Sequence, residues 1–221
     1  ISCSLVGSEM CIRDRPFTAS AINVGRVTTI IPADKQLVAK EIKNESPMAR
    51  VISVKIERID SPLTDGKVIA FDKKDEILLS PSQLMMPGSS KNIIKFWYQG
   101  KEDNQERYYR ITFTDEPITD DSAVNGGKSV LAQAKAIIST ILVVQPRNKN
   151  LDYSLTDDGV FNKGNTSFRV SAIGECIDGK KDCREVFYVL PGNIYRLHKV
   201  NLNAKGTHLS LWDVENYVAL K

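Results

Sequence analysis

The chain has 221 residues, 42% of them hydrophobic, enough for one large or two small domains with real cores. Its 30 Lys and Arg alternate with 27 Asp and Glu for a net charge of +3, without the basic run that a nucleic-acid surface needs. No apolar run reaches the roughly 18 residues of a membrane-spanning helix, so neither nucleic-acid binding nor helical membrane insertion is expected.

The first stretch, ISCSLVGSEMCIRDR, resembles a translated sequencing-adapter artefact and is set aside from fold reasoning. PFTASA follows, and Ala19-Ser20-Ala21 has the small-residue form that ends a secretory signal peptide. Residues 1–21 are therefore read as adapter-like sequence plus a leader remnant, with the mature protein starting near Ile22. An ordinary N-terminal tail is the plainer alternative.

From there the chain reads as a succession of short strands. Residues 22–31 (INVGRVTTII) are rich in β-branched side chains and stop at Pro32; residues 37–42 form a second strand, closed by Asn44-Glu45-Ser46-Pro47. Residues 51–59 alternate cleanly, with Ile52, Val54 and Ile56 set against Ser53, Lys55 and Glu57, as in a half-buried antiparallel strand. Further short strands are expected at 68–71, 77–79 and 83–86. At 92–98 the inward set is Ile94, Phe96 and Tyr98, and at 107–114 it is Tyr109, Ile111 and Phe113. Residues 115–128 read as a long polar loop. Strands at such even spacing indicate a β-sandwich of immunoglobulin type over residues 22–146.

The stretch 129–144 (SVLAQAKAIISTILVV) organises this domain. Val130, Ala132, Ala134, Ala136 and Ile138 form one alternating set; Gln133, Lys135 and Ser139 belong to the other. Its Ala-rich first half also fits a helix, but almost nothing else in the chain does. Read as a strand, that half presents mostly small side chains, a poor filling for a core of its own. It is expected to be an exposed edge lent to another protein, with Ile141–Val144 locked into the home domain. Pro146 ends it.

Residues 147–150 (RNKN) read as a polar hinge, and 151–221 as a second, smaller β-sandwich with strands at 153–155, 160–162, 168–173, 186–190, 195–200, 208–211 and 217–220. Cys176 and Cys183 flank the turn signal Asp178-Gly179, which favours a disulfide over a zinc site or free thiols. The only histidines are His198 and His208, neither in a catalytic motif, and GxSxG, GxGxxG, P-loop and HExxH patterns are absent. No enzyme, no metal and no cofactor is expected.

LSPSQLMMPG followed by NIIKFWYQG, then ERYYRITFTDEP, a long loop and STILVVQP, resembles the N-terminal domain of periplasmic pilus chaperones of the chaperone–usher pathway. FNKGNTSFRVSAIGEC followed by VFYVLPGNIYRL resembles their second domain, and IERIDSPLTDGKVIAFDKKDEILLSP with STILVVQPR looks most like the common-pilus (Ecp or Mat) type. The resemblance implies an all-β protein of two immunoglobulin-like sandwiches set in an L or boomerang, working in the periplasm.

It also implies donor-strand complementation: Val130, Ala132, Ala134, Ala136 and Ile138 would fill the open core of a pilin that lacks one strand. The implied partners are pilin subunits, with a tip adhesin as a second candidate, and the outer-membrane usher. An unpaired apolar edge also favours weak self-association without a client. The familiar chaperones hold the pilin's terminal carboxylate with two basic residues. Arg26 sits where the first would be; the second falls near Ile141, which cannot serve, leaving Arg110 and Lys135 as substitutes. A structural or adhesive pilus component with two sandwiches is the alternative reading.

Overall fold

A computed structural model of the chain describes residues 22–118, 135–214 and 216–220. Among these residues there is no helix; the regular structure is entirely β. The first nine strands are β1 (Ile22–Asn23), β2 (Thr28–Ile31), β3 (Leu37–Asn44), β4 (Arg50–Ile59), β5 (Ile77–Ser80), β6 (Gln83–Met86), β7 (Lys91–Tyr98), β8 (Arg107–Pro117) and β9 (Ala136–Val144). They build two facing sheets, of order β1-β3-β7-β5 and β2-β9-β8-β4-β6. Alternation explains why they pack. Ile42, Ile52, Ile94, Phe96, Tyr109, Ile111, Phe113 and Leu142 all point between the sheets and are fully buried.

The remaining strands are β10 (Tyr153–Leu155), β11 (Gly159–Asn162), β12 (Phe168–Gly174), β13 (Cys183–Val189), β14 (Ile194–Arg196), β15 (His208–Asp213) and β16 (Asn216–Ala219). They form a second pair of sheets, β10-β11-β14 and β13-β12-β15-β16, around Val160, Phe168, Val170, Leu209 and Leu211. Cys176 and Cys183 are joined in a disulfide across the turn at Gly179, whose φ of +80° suits glycine.

Several expected elements change. The single strand expected at 22–31 is two, because the chain leaves one sheet for the other. β1 pairs antiparallel with β3, whereas β2 pairs parallel with β9. Gly25, at φ +66°, lies in the break. Residues 68–71 form no strand; Val68 makes one isolated bridge to Ile59, and Phe71 instead stacks on Tyr109. The strand expected at 195–200 ends at Arg196. Asp115, expected in a polar loop, lies within β8 and is fully buried. Residues 129–134 fall outside the described residues, so β9 carries only the later part of the expected 129–144 strand.

Glu185 of β13 is the polar anchor of the second sandwich. Its carboxylate accepts the Tyr195 hydroxyl at 2.8 Å and the backbone N–H groups of His198, Lys199 and Val200 at 3.0–3.4 Å. Burial works to raise its pKa, but these four donors outweigh burial and hold the carboxyl below the usual carboxylate range. A depressed acid contributes stability that is present above its unfolded pKa, about 4.3, and lost as pH falls through the folded value. Glu185→Gln is expected to destabilise this sandwich at pH 7 by about 1–3 kcal/mol and to weaken its acid dependence. Denaturant unfolding at pH 7 and pH 4 checks both.

Candidate functional site

The site is built on β9. It is hydrogen-bonded along its whole length to β8, from Asp115↔Ala136 to Arg107↔Val144. On its other flank β2 reaches only Thr28↔Ile141 through Ile31↔Val144. Ile141 N–H donates to Val27 O at 2.8 Å and Gln145 N–H to Ile31 O at 3.0 Å, so the odd-numbered residues of β9 turn their peptide groups toward β2. The same period carried back puts the N–H and C=O of Ile137 and Ser139 on a flank that no described residue covers. Residues 136–140 are thus an open edge among the described residues, and Ile141–Val144 are locked in.

The side chains follow the same alternation. Leu142 and Val144 are buried in the sandwich core, Ile138 is half-buried against it, and Ala136 is half-buried at the rim. Thr140 lies in the same row, and its Oγ1 has no hydrogen-bond partner among the described residues. On the opposite face Ile137 is 66% exposed, a large apolar group on an open edge that the small-residue reading passed over. Of the five residues expected to face a client, Ala136 and Ile138 lie on this edge; Val130, Ala132 and Ala134 fall outside the described residues.

Beside this edge a cleft opens between the two sandwiches. Val24, Arg26, Val27 and Lys40 line one wall, and Arg169, Tyr188 and Trp212 the other. Arg26 is solvent-exposed there. Lys40, on β3, is only 6% exposed: its Nζ donates to Arg26 O at 2.6 Å and Thr29 Oγ1 at 3.2 Å. Burial lowers its pKa, and no carboxylate of the described residues pairs with it. The other two candidate cations are engaged elsewhere. Arg110 Nη2 donates to Gly66 O at 2.9 Å, and Lys135 Nζ lies 2.5 Å from Glu116 on the exposed surface.

Among the described residues the two sandwiches meet through polar groups and a small apolar contact. Glu106, just before β8, accepts the Tyr108 hydroxyl at 2.7 Å, the Thr166 hydroxyl at 3.0 Å, and both the N–H (2.8 Å) and hydroxyl of Ser167. Gln145 Nε2 donates to Asp213 Oδ1 at 3.0 Å, and Lys149 Nζ lies 2.7 Å from the other Asp213 oxygen. Leu190 packs on Ile59, Tyr108 and Val143. Arg147 Nη1 ties the connecting segment to Pro32, Ala33 and Lys35 carbonyls at 2.6–3.0 Å.

Among the described residues no His, Cys, Asp and Glu side chains are grouped to hold a metal ion. His198 packs edge-on against Tyr195, centroids 5.6 Å apart, and His208 lies exposed on β15; neither imidazole bonds a serine or a carboxylate among the described residues. Glu106→Ala is expected to loosen the joint. Small-angle scattering should then give a larger radius of gyration, and calorimetry should give two separated transitions.

Residues 151–220 match the family described as EcpB C-terminal domain. Over 205 residues the chain is 37% identical to a probable fimbrial chaperone EcpB of Escherichia coli O7:K1, covering 92% of each chain. The protein of the same name from Shigella boydii serotype 4 is 36% identical over the same shares. The fold is shared with solved structures. The class 5 fimbriae chaperone CfaA has a TM-score of 0.58 at 13% identity, over 90% of this chain and 97% of that one. The periplasmic chaperone SfaE has a TM-score of 0.56 at 16% identity, over 90% and 98%. A Salmonella enterica structure of SafA pilin in complex with the SafB chaperone superposes at 0.54, with 12% identity over 86% and 89%. With two immunoglobulin-like sandwiches and this degree of identity along nearly its whole length, the chain belongs to the EcpB family of fimbrial chaperones.

Proposed function

We propose that the protein is a periplasmic, non-enzymatic chaperone that holds pilin subunits by donor-strand complementation and passes them to the outer-membrane usher. The observation that carries this reading is the half-covered β9. A strand that ends one sheet with unpaired peptide groups is a template for another chain. The client's edge strand would bond to Ile137 and Ser139, while Val130, Ala132 and Ala134 would fill its open groove, and Ala136 and Ile138, whose row continues into the home core, would offer it only their exposed part. Their modest size makes the plug loose and easily displaced: at about 25 cal/mol per Å², each alanine in place of a larger aliphatic gives up perhaps 1 kcal/mol or more. Export to the periplasm fits the Ala19-Ser20-Ala21 leader tail and the disulfide.

The cleft would receive the client's terminal carboxylate. Arg26 supports this role by lining the cleft in the open. Lys40 joins it as the residue that sequence reasoning missed: a buried ammonium facing the cleft, with no counter-charge among the described residues, is poised for an anion. Arg110 and Lys135 already have partners, which weakens the case for either.

Two variants test the two halves of the reading. Ile137→Pro removes an outward N–H but none of the β8 ladder, so it should fold and lose recovery of a co-expressed pilin by at least about tenfold. Lys40→Met should leave the free protein as stable as before or more so, while weakening the pilin complex by at least about tenfold. Co-purification of a one-to-one complex, with the protein absent from finished fibres, is the expected wild-type result. Incorporation into the fibre would favour a structural pilus component instead.

A further inference from the structure

The backbone nitrogen of Ile22, the first residue of β1, is placed unusually. Its register partner Asn44 gives its own N–H to Ser90 O at 2.9 Å, so the two are not a hydrogen-bonded pair and Ile22 N turns away from β3. It lies 3.1 Å from Asp115 Oδ2 instead. Asp115 is fully buried and Ile22 only 3% exposed, and the other Asp115 oxygen bonds the Arg50 guanidinium. A buried carboxylate therefore points at the backbone nitrogen that directly follows Ala19-Ser20-Ala21.

We propose that the Ala21–Ile22 bond is the processing site and that the new α-ammonium of Ile22 docks on Asp115. Hydrolysis by a leader peptidase adds one water across that peptide bond. Ala21 leaves with a carboxylate; Ile22 keeps the nitrogen as an amine, which takes up a proton. An amide offers Asp115 one neutral donor, whereas the ammonium offers a full charge and three donors, and hydrogen bonds between charged groups are roughly twice as strong. The contact spans the sandwich, from β1 in one sheet to β8 in the other. Asp115 is also the register partner of Ala136, so the clamp sits where the open edge of β9 begins.

This inference rests on the leader reading given above and not on client binding. Its test begins with the chain expressed behind an intact leader that ends in its own Ala19-Ser20-Ala21. N-terminal sequencing of the periplasmic protein is expected to start at Ile22; any other first residue overturns the processing site. The folded chain is then compared with one carrying a single extra Gly before Ile22, both treated with an amine-reactive ester at pH 7 and read by mass spectrometry of the N-terminal peptide. The Ile22 amine should label at least about tenfold more slowly than the added Gly amine, equivalent to one pKa unit or more of protection. Asp115→Asn should abolish that difference. Equal labelling of the two chains with Asp115 present overturns the docking, and this comparison decides even if the Asp115→Asn variant does not fold.

Discussion

β2 is too short to cover β9. It pairs with four residues, Ile141–Val144, and its predecessor β1 belongs to the opposite sheet. The crossing between sheets happens at residues 24–27, and it uncovers the neighbouring half of β9. Had residues 22–31 run as one strand along β9, the edge would be closed and the domain would be an ordinary sandwich. Among the described residues this leaves the peptide groups of Ile137 and Ser139 unpaired, which an isolated protein gains nothing from displaying. The fold is therefore organised around an incompleteness.

The rest of the molecule keeps that edge next to a cleft. Glu106, Thr166, Ser167, Gln145, Lys149 and Asp213 join the sandwiches by directed polar contacts, with Leu190 as a small apolar pivot. Such contacts depend on geometry more than area does, which suits a joint that must hold two walls at a set separation. Lys40 shows the cost of the arrangement. A lysine buried beside a carbonyl and a hydroxyl, with no carboxylate partner among the described residues, is destabilising for the free protein, and a client anion would relieve it.

Much of this was legible in the sequence, because alternation reports which face of a strand is buried. Ile94, Phe96 and Tyr98, and Tyr109, Ile111 and Phe113, lie where period two puts them. The disulfide was legible from two cysteines flanking a turn. The sheet switch was not, since β-branched residues on both sides of Gly25 favour strand without saying which strand they pair with. Val68 to Phe71 reads as a strand for the same reason: the segment has strand-like composition, but its side chains go to the surface or to Tyr109. Two site residues carry a signal in the sequence. Lys40 occupies the inward phase of Val38 and Ile42, and Asp115 the inward phase of Ile111 and Phe113. A charge where alternation calls for an apolar residue marks a buried polar site. The open edge was half legible: small residues suggested it, while the exposed Ile137 came from the structure.

Residue-resolved amide hydrogen exchange, with and without a bound pilin subunit, tests the central claim most directly. The Ile137 and Ser139 amides should exchange rapidly in the free protein and become strongly protected in the complex, while Ile138 and Thr140, already bonded to β8, change far less. Rapid exchange at Ile137 and Ser139 in a fully formed complex would contradict the account.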